Sequence, residues 1–207
     1  MGWLGNLLGS TDDSLIQNGL LGRGEVIGLN ASGMTMQVAN GLVERKCSVT
    51  LNVMLDGQQP YQAVANQRIQ EVYIPQLSAG GAVVAVRVDP ADKTRVQIDF
   101  ASQPPTVTLP ASEGHNSAAW ILENGKPVTV VLVANQPIGV KNAKGDDVHA
   151  LTLTIATGVE TPYQIQVGNA VPASALPLLY PGSKLHAKIG EDPGDVVVDW
   201  AAGAVAG

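Results

Sequence analysis

The 207-residue chain is short of several things at once. It has a single cysteine, Cys47, which excludes an intrachain disulfide framework and a paired-cysteine metal knuckle. It has a single phenylalanine, and aromatics make up 4% of it, so a core must be built from Val, Leu, Ile and Ala. Charged residues are 14% of the chain, against a usual ~25%. Basic residues are outnumbered 12 to 18, and the net charge of −6 argues against a sequence-independent grip on nucleic-acid phosphates. No apolar run reaches the ~18 residues that a spanning helix needs. The first residues carry no Lys or Arg and no long apolar region, so no secretion signal is expected, and with one cysteine the chain reads as cytoplasmic.

What is present is a repeat, the first thing to look for in a chain of this length. Pro60-Tyr61-Gln62 recurs as Pro162-Tyr163-Gln164. The same spacing carries Leu51 and Val53 onto Leu153 and Ile155, and Pro75, Leu77 and Gly80 onto Pro177, Leu179 and Gly182. Val96–Phe100 matches Val196–Trp200 two residues closer, and Leu20–Val26 aligns loosely with Ile121–Val128. Matches in the same order point to tandem duplication of a unit of about 100 residues, a usual small-domain size.

Each unit has the same grammar. Ser10-Thr11-Asp12-Asp13 is a helix start signal with Ser10 as the capping residue, and Gly19 is the stop. Ser117 and Gly125 bracket a corresponding turn around Trp120, Ile121 and Leu122. Strands follow. Cys47, Val49, Leu51, Val53 and Leu55 alternate with Ser48, Thr50 and Asn52, as a half-buried strand requires. Leu151, Leu153 and Ile155 repeat the pattern. Short strands at spacings of about 8–12 residues predict a mainly β protein, a tandem pair of small β-barrels with a β-sandwich as the alternative, each unit preceded by a short helix. The expected segments are a helical 1–22, a first barrel over 23–102, a linker with a short helix over 103–125, a second barrel over 126–200 and a flexible tail, 201–207.

The Pro-Tyr-Gln strand start, the Pro-x-Leu-x-x-Gly turn, and Val88-Asp89-Pro90 closing on Val96–Asp99 resemble a group of uncharacterised actinobacterial proteins built from duplicated small β-domains. The resemblance covers most of 20–100 and, more weakly, 121–200, where the Asp-Pro pair is shifted to Asp192-Pro193. It implies a fold and a source, and no activity.

The chemistry-bearing residues are few. His115, His149 and His186 all lie in the second half, and Cys47 occupies the repeat position of His149. Asp146-Asp147-x-His149 is the one local carboxylate–histidine cluster, at a hairpin loop, short of the three or four ligands that zinc takes. Gly28-x-x-x-x-Gly33-Met34-Thr35 imitates a phosphate loop but has Met where Lys is needed. These readings leave catalytic, cofactor and metal sites all at none. Tyr61 and Tyr163 open the same strand in both units, as rim packing or as a docking platform. Trp3, Leu4, Leu7 and Leu8 form one stripe if helical, as a cover for a barrel opening or a docking segment. All five arginines are in the first unit, which hints that this unit faces a partner.

Three functions are compatible with this pattern. The first is a non-enzymatic interaction or structural protein that acts through protein–protein contacts or homo-oligomerisation. The alternative is a small-ligand or lipid binding module using an interdomain cleft. The third is an enzyme using Cys47 or His149 with acidic loop residues. The first is the expectation, with no cofactor and no nucleic-acid partner.

Overall fold

The structure is a computed structural model, and it describes residues 12–37 and 41–205. The protein is mainly β, with two antiparallel sheets. The chain divides into two compact units between Leu109 and Pro110.

The first unit opens with helix α1 (Asp13–Asn18). Its cap is Asp12 rather than the expected Ser10, which lies outside the described residues. Asp12 accepts from the Leu15 amide, and Asp13 places a second carboxylate at the positive end of the helix. Gly19 follows as the C-cap in extended backbone, and a Cβ there would lie 2.5 Å from the Leu15 carbonyl oxygen, so the position calls for glycine. Strand β1 (Leu20–Gln37) follows, then β2 (Val43–Met54) and β3 (Tyr61–Gln70). A 3-10 turn at Glu71–Tyr73 leads into α2 (Ile74–Ser78), then β4 (Val83–Val88), β5 (Val96–Ile98) and the short β6 (Val107–Thr108). The main sheet runs β3-β2-β1-β4-β5.

The second unit has α3 (Ala118–Asn124), β7 (Lys126–Lys141), β8 (Asp147–Thr157) and β9 (Tyr163–Val171). A 3-10 segment at Ala173–Leu178 precedes β10 (Lys184–Ile189) and β11 (Val196–Val198). Its strands lie in the order β9-β8-β7-β10-β11, the same sequence of neighbours as in the first unit. Ser117 caps α3 through the Trp120 amide, and Gly125 ends it, both as expected. The expected pairing of Leu20–Val26 with Ile121–Val128 fails, because Leu20 begins a strand whereas Ile121 is the buried residue of α3. The residue equivalent to Ile121 is Leu15, also buried on its helix.

Two expected strands, one around Val26 and one around Met34, are a single long β1. It stays in one ladder with β2 by absorbing register shifts between Val26 and Gly28 and between Ala31 and Thr35. Such bulges bend a strand and increase its twist. Strand β7 does the same at three places. Each core lies on one face of its sheet. In the first it is led by Val49, Leu51, Val53, Val86 and Ile98, and in the second by Val130, Leu132, Leu153, Ile155 and Leu185. Aliphatic alternation builds the centre of both cores, with Tyr61 packed against the first and Tyr163 and Trp200 against the second.

Each unit has one sheet, not the two facing sheets of a sandwich, and the backbone ladder of each sheet does not close into a barrel. Where the two edges meet, a side chain stands in for backbone. Gln67 of β3 donates from Nε2 to the Ile98 carbonyl (3.2 Å) and accepts at Oε1 from the Ile98 amide (2.6 Å). Asn169 of β9 donates to the Val196 carbonyl (3.1 Å) and accepts from the Val198 amide (2.9 Å). Both amides are buried, and each replaces a ladder pair across the seam.

The tail was expected to fray from 201 on. Instead Ala204 bridges Leu185, and the Val205 amide donates to the Lys184 carbonyl.

Candidate functional site

Cys47 lies on β2 opposite Gln67, and His149 lies on β8 opposite Asn169, so the two occupy like places in their own sheets. Both side chains are buried. The Cys47 thiol contacts the Arg45 carbonyl, and burial pushes its pKa up despite the nearby Arg45 charge. A raised pKa lowers the thiolate fraction, which is the reactive form. His149 Nδ1 lies 3.3 Å from Asn135 Oδ1, and Asn135 donates to the Leu179 carbonyl. His149 is therefore part of a packed polar contact. His186 is exposed, and His115 sits against the Trp120 ring at 5.0 Å.

The carboxylates beside His149 are engaged by their own hairpin. Asn142 donates to Asp146 at 3.0 Å, and Lys141 pairs with Asp147 at 2.8 Å. Among the described residues, no group of three or more His, Cys, Asp or Glu is placed to hold a metal ion. Gly28–Thr35 is extended strand, not a loop before a helix, so the phosphate-loop imitation has no cradle.

Tyr61 and Tyr163 are partly buried, each packed against the core of its unit. The Tyr163 hydroxyl donates to the Pro193 carbonyl at 2.9 Å, and Lys93 lies 5.8 Å from the Tyr61 ring. Both rings thus meet the loop that joins the last two strands of their sheet. Burial raises the pKa of both, with Asp192 adding to the effect at Tyr163. Trp3, Leu4, Leu7 and Leu8, the other expected docking residues, lie outside the described residues.

The arginines are engaged within their own unit. Arg87 pairs with buried Asp99 at 3.0 Å and also reaches the Gly19 carbonyl at the end of α1. Arg95 joins Asp12 (2.7 Å) and Asp89, which ties α1 to the β4–β5 loop. Arg45 pairs with Glu71, Arg23 donates to the Pro105 carbonyl, and Arg68 meets the Met36 sulfur. Asp99 shows what such pairing does to a titration. Burial pushes its pKa up, but the Ser102 hydroxyl, the Arg87 guanidinium and the amides of Ala101 and Ser102 bring it below the ordinary carboxylate value.

The first unit also presents an exposed apolar feature. Tyr73 stacks on Phe100 with centroids 4.9 Å apart and rings 14° from parallel. Both rings are about two-fifths exposed, and Val72 beside them is 72% exposed. No local pattern pairs them, because Tyr73 ends the 3-10 turn after β3 and Phe100 lies two residues past β5. Two shallow depressions of about 320 Å³ flank Ala31. One is lined by Arg45, Glu71, Ile74 and Pro75, the other by Asn30, Ser32, Lys46 and Ser48. No described helix is long and apolar enough to cross a membrane. No family model matches the chain, and no curated protein matches its sequence.

Proposed function

We propose that the chain is a non-enzymatic interaction protein that acts through protein–protein contacts, built from two copies of one duplicated, partly open five-stranded barrel. The common strand order and the paired Gln67 and Asn169 seams, 102 residues apart like Tyr61 and Tyr163, support the duplication. A helical segment lies between the third and fourth strands of each unit, as in small Greek-key barrels that bind oligonucleotides or oligosaccharides. That likeness concerns fold alone. On the outer face of β2–β3, Ser48 sits opposite Asn66 and Asn52 opposite Gln62, and on β8–β9 Thr152 and Thr154 sit opposite Gln166 and Gln164. Lys46 opposite Arg68 is the one basic pair among these cross-strand pairs, too little for a basic track along a phosphate backbone.

The Tyr73–Phe100 stack with Val72 carries the reading. A chain with so few aromatics places a ring pair at the surface, and such rings are the residues that anchor protein interfaces. The test is capture of partners on the full chain from its source, compared with the Tyr73→Ser, Phe100→Ser double variant. A partner retained by the native chain and lost by the variant is expected. Identical recovery on both, with the variant still folded, would overturn the proposal.

A further inference from the structure

We propose that the outer edge of β1 at Ile27–Ala31 pairs antiparallel with the same edge of a second copy of this chain. This rests on the interaction reading above and names one partner and one surface for it. Strand β1 outruns its neighbour β4. Their register ends at Glu25 opposite Val83, and the last bonds on that side run from the Val26 amide to Ala82 and from the Gly81 amide to Val26. Pairing with β2 on the other side continues to Gln37. Over Ile27–Ala31 the strand therefore has a partner on one side only among the described residues. Alternate amides and carbonyls on its outer side are a template for another strand.

The second unit shows what a protected edge looks like. There the last bonds on that side involve Leu132, the counterpart of Val26. Asn135 then reaches across to the Leu179 carbonyl, and Pro137 sits opposite His149 just as Ala31 sits opposite Cys47. Proline cannot donate to a ladder and is an edge-blocking residue. The first unit has Leu29 and Ala31 at these two places. Residues 26–37 contain no charge and no proline, so of the common devices against edge pairing the segment keeps only the bulges at its two ends. Ile27 is 50% exposed, and Asn30 and Ala31 are exposed.

A second copy fits better than a charged peptide. A two-fold axis through the edge lays this uncharged strand antiparallel on itself and brings no like charges together. Because the equivalent edge of the second unit is blocked, the contact closes at two copies and does not propagate.

The test is sedimentation equilibrium of the full chain from about 1 to 100 μM, with hydrogen exchange of the β1 amides at both ends of that range. The native chain is expected at twice 21.4 kDa at the upper end, with the outward-facing amides of Ile27–Ala31 protected only there. Ala31→Pro copies the residue that the second unit tolerates, and Asn30→Lys adds a charge at an exposed position. Each acts twice in a symmetric pair, so each should weaken association roughly 100-fold, about tenfold per lost or opposed contact. If Ala31→Pro fails to fold, Asn30→Lys decides. A native monomer at 100 μM overturns the edge pairing and leaves the aromatic-patch experiment to judge the wider reading. A dimer that survives in a folded variant also overturns it, while self-association itself then stands.

Discussion

Replacing Gln67 with leucine probes the seam of the first unit directly. The side chain is buried, similar in size, and makes two bonds, both to the backbone of Ile98. Leucine fills the space but leaves a buried N–H and a buried C=O without partners. At about 1–3 kcal/mol for each orphaned group, less about 1 kcal/mol for added apolar burial, the loss should be about 3 kcal/mol. For a unit of this size that lowers the midpoint by roughly 10–20 °C. Gln67→Asn, the amide that the second unit uses, should recover part of the loss. The assay is urea unfolding by circular dichroism, with hydrogen exchange to assign the change to residues 61–70 and 96–98. Asn169→Leu should act on residues 163–171 and 196–198 instead. A Gln67→Leu loss below about 1 kcal/mol, with Ile98 still protected from exchange, would refute the claim that one amide holds the seam.

Three other outcomes follow from buried groups. Asp99 titrates below its unfolded value of ~3.9, so its contribution is complete above that pH and is lost as pH falls through the folded value. Asp99→Asn should therefore be less stable than the native chain at pH 7, with the gap narrowing below about pH 4 in parallel urea titrations. Arg87→Ala should cost about 2 kcal/mol at pH 7 in the same assay, because it takes the charge partner from a buried carboxylate that keeps its Ser102 and amide bonds. Cys47, buried with a raised pKa, should resist an aromatic disulfide reagent in the folded chain and react at once in urea. Fast labelling without denaturant would show that β2 opens readily.

Much of this architecture is legible in the residues because it rests on alternation and punctuation. Cys47–Leu55, the Ser117 and Gly125 brackets, and Lys184–Ile189 all announce themselves through local pattern. What is not legible depends on long-range contacts. The seam is one case, although a trace was there. Gln67 and Asn169 are polar residues in the inward phase of otherwise apolar strands, at the repeat spacing. The bulges of β1 are another, since they let one strand look like two. The Asp12 cap depends on its bonds to Gln97 and Arg95, more than 80 residues away. The tail's pairing with β10 has no signal in a run of Ala and Gly. Of the expected docking residues, Tyr61 and Tyr163 were recognisable as equivalent, but their contacts with the loops after β4 and β10 are tertiary.

The arginines also bear on how fast the protein can find anything. Gathered in one unit, they looked like a surface held ready for a partner. Each is instead bound to a carboxylate, a carbonyl or a sulfur of its own unit. The net charge of −6, rather than those contacts, leaves little positive field to steer an acidic molecule, and two copies repel. Encounter should then proceed at the unassisted pace of about 10⁵–10⁶ M⁻¹s⁻¹. Added salt, which shortens the Debye length to about 10 Å at 0.1 M, should quicken pairing between copies, the reverse of a steered complex.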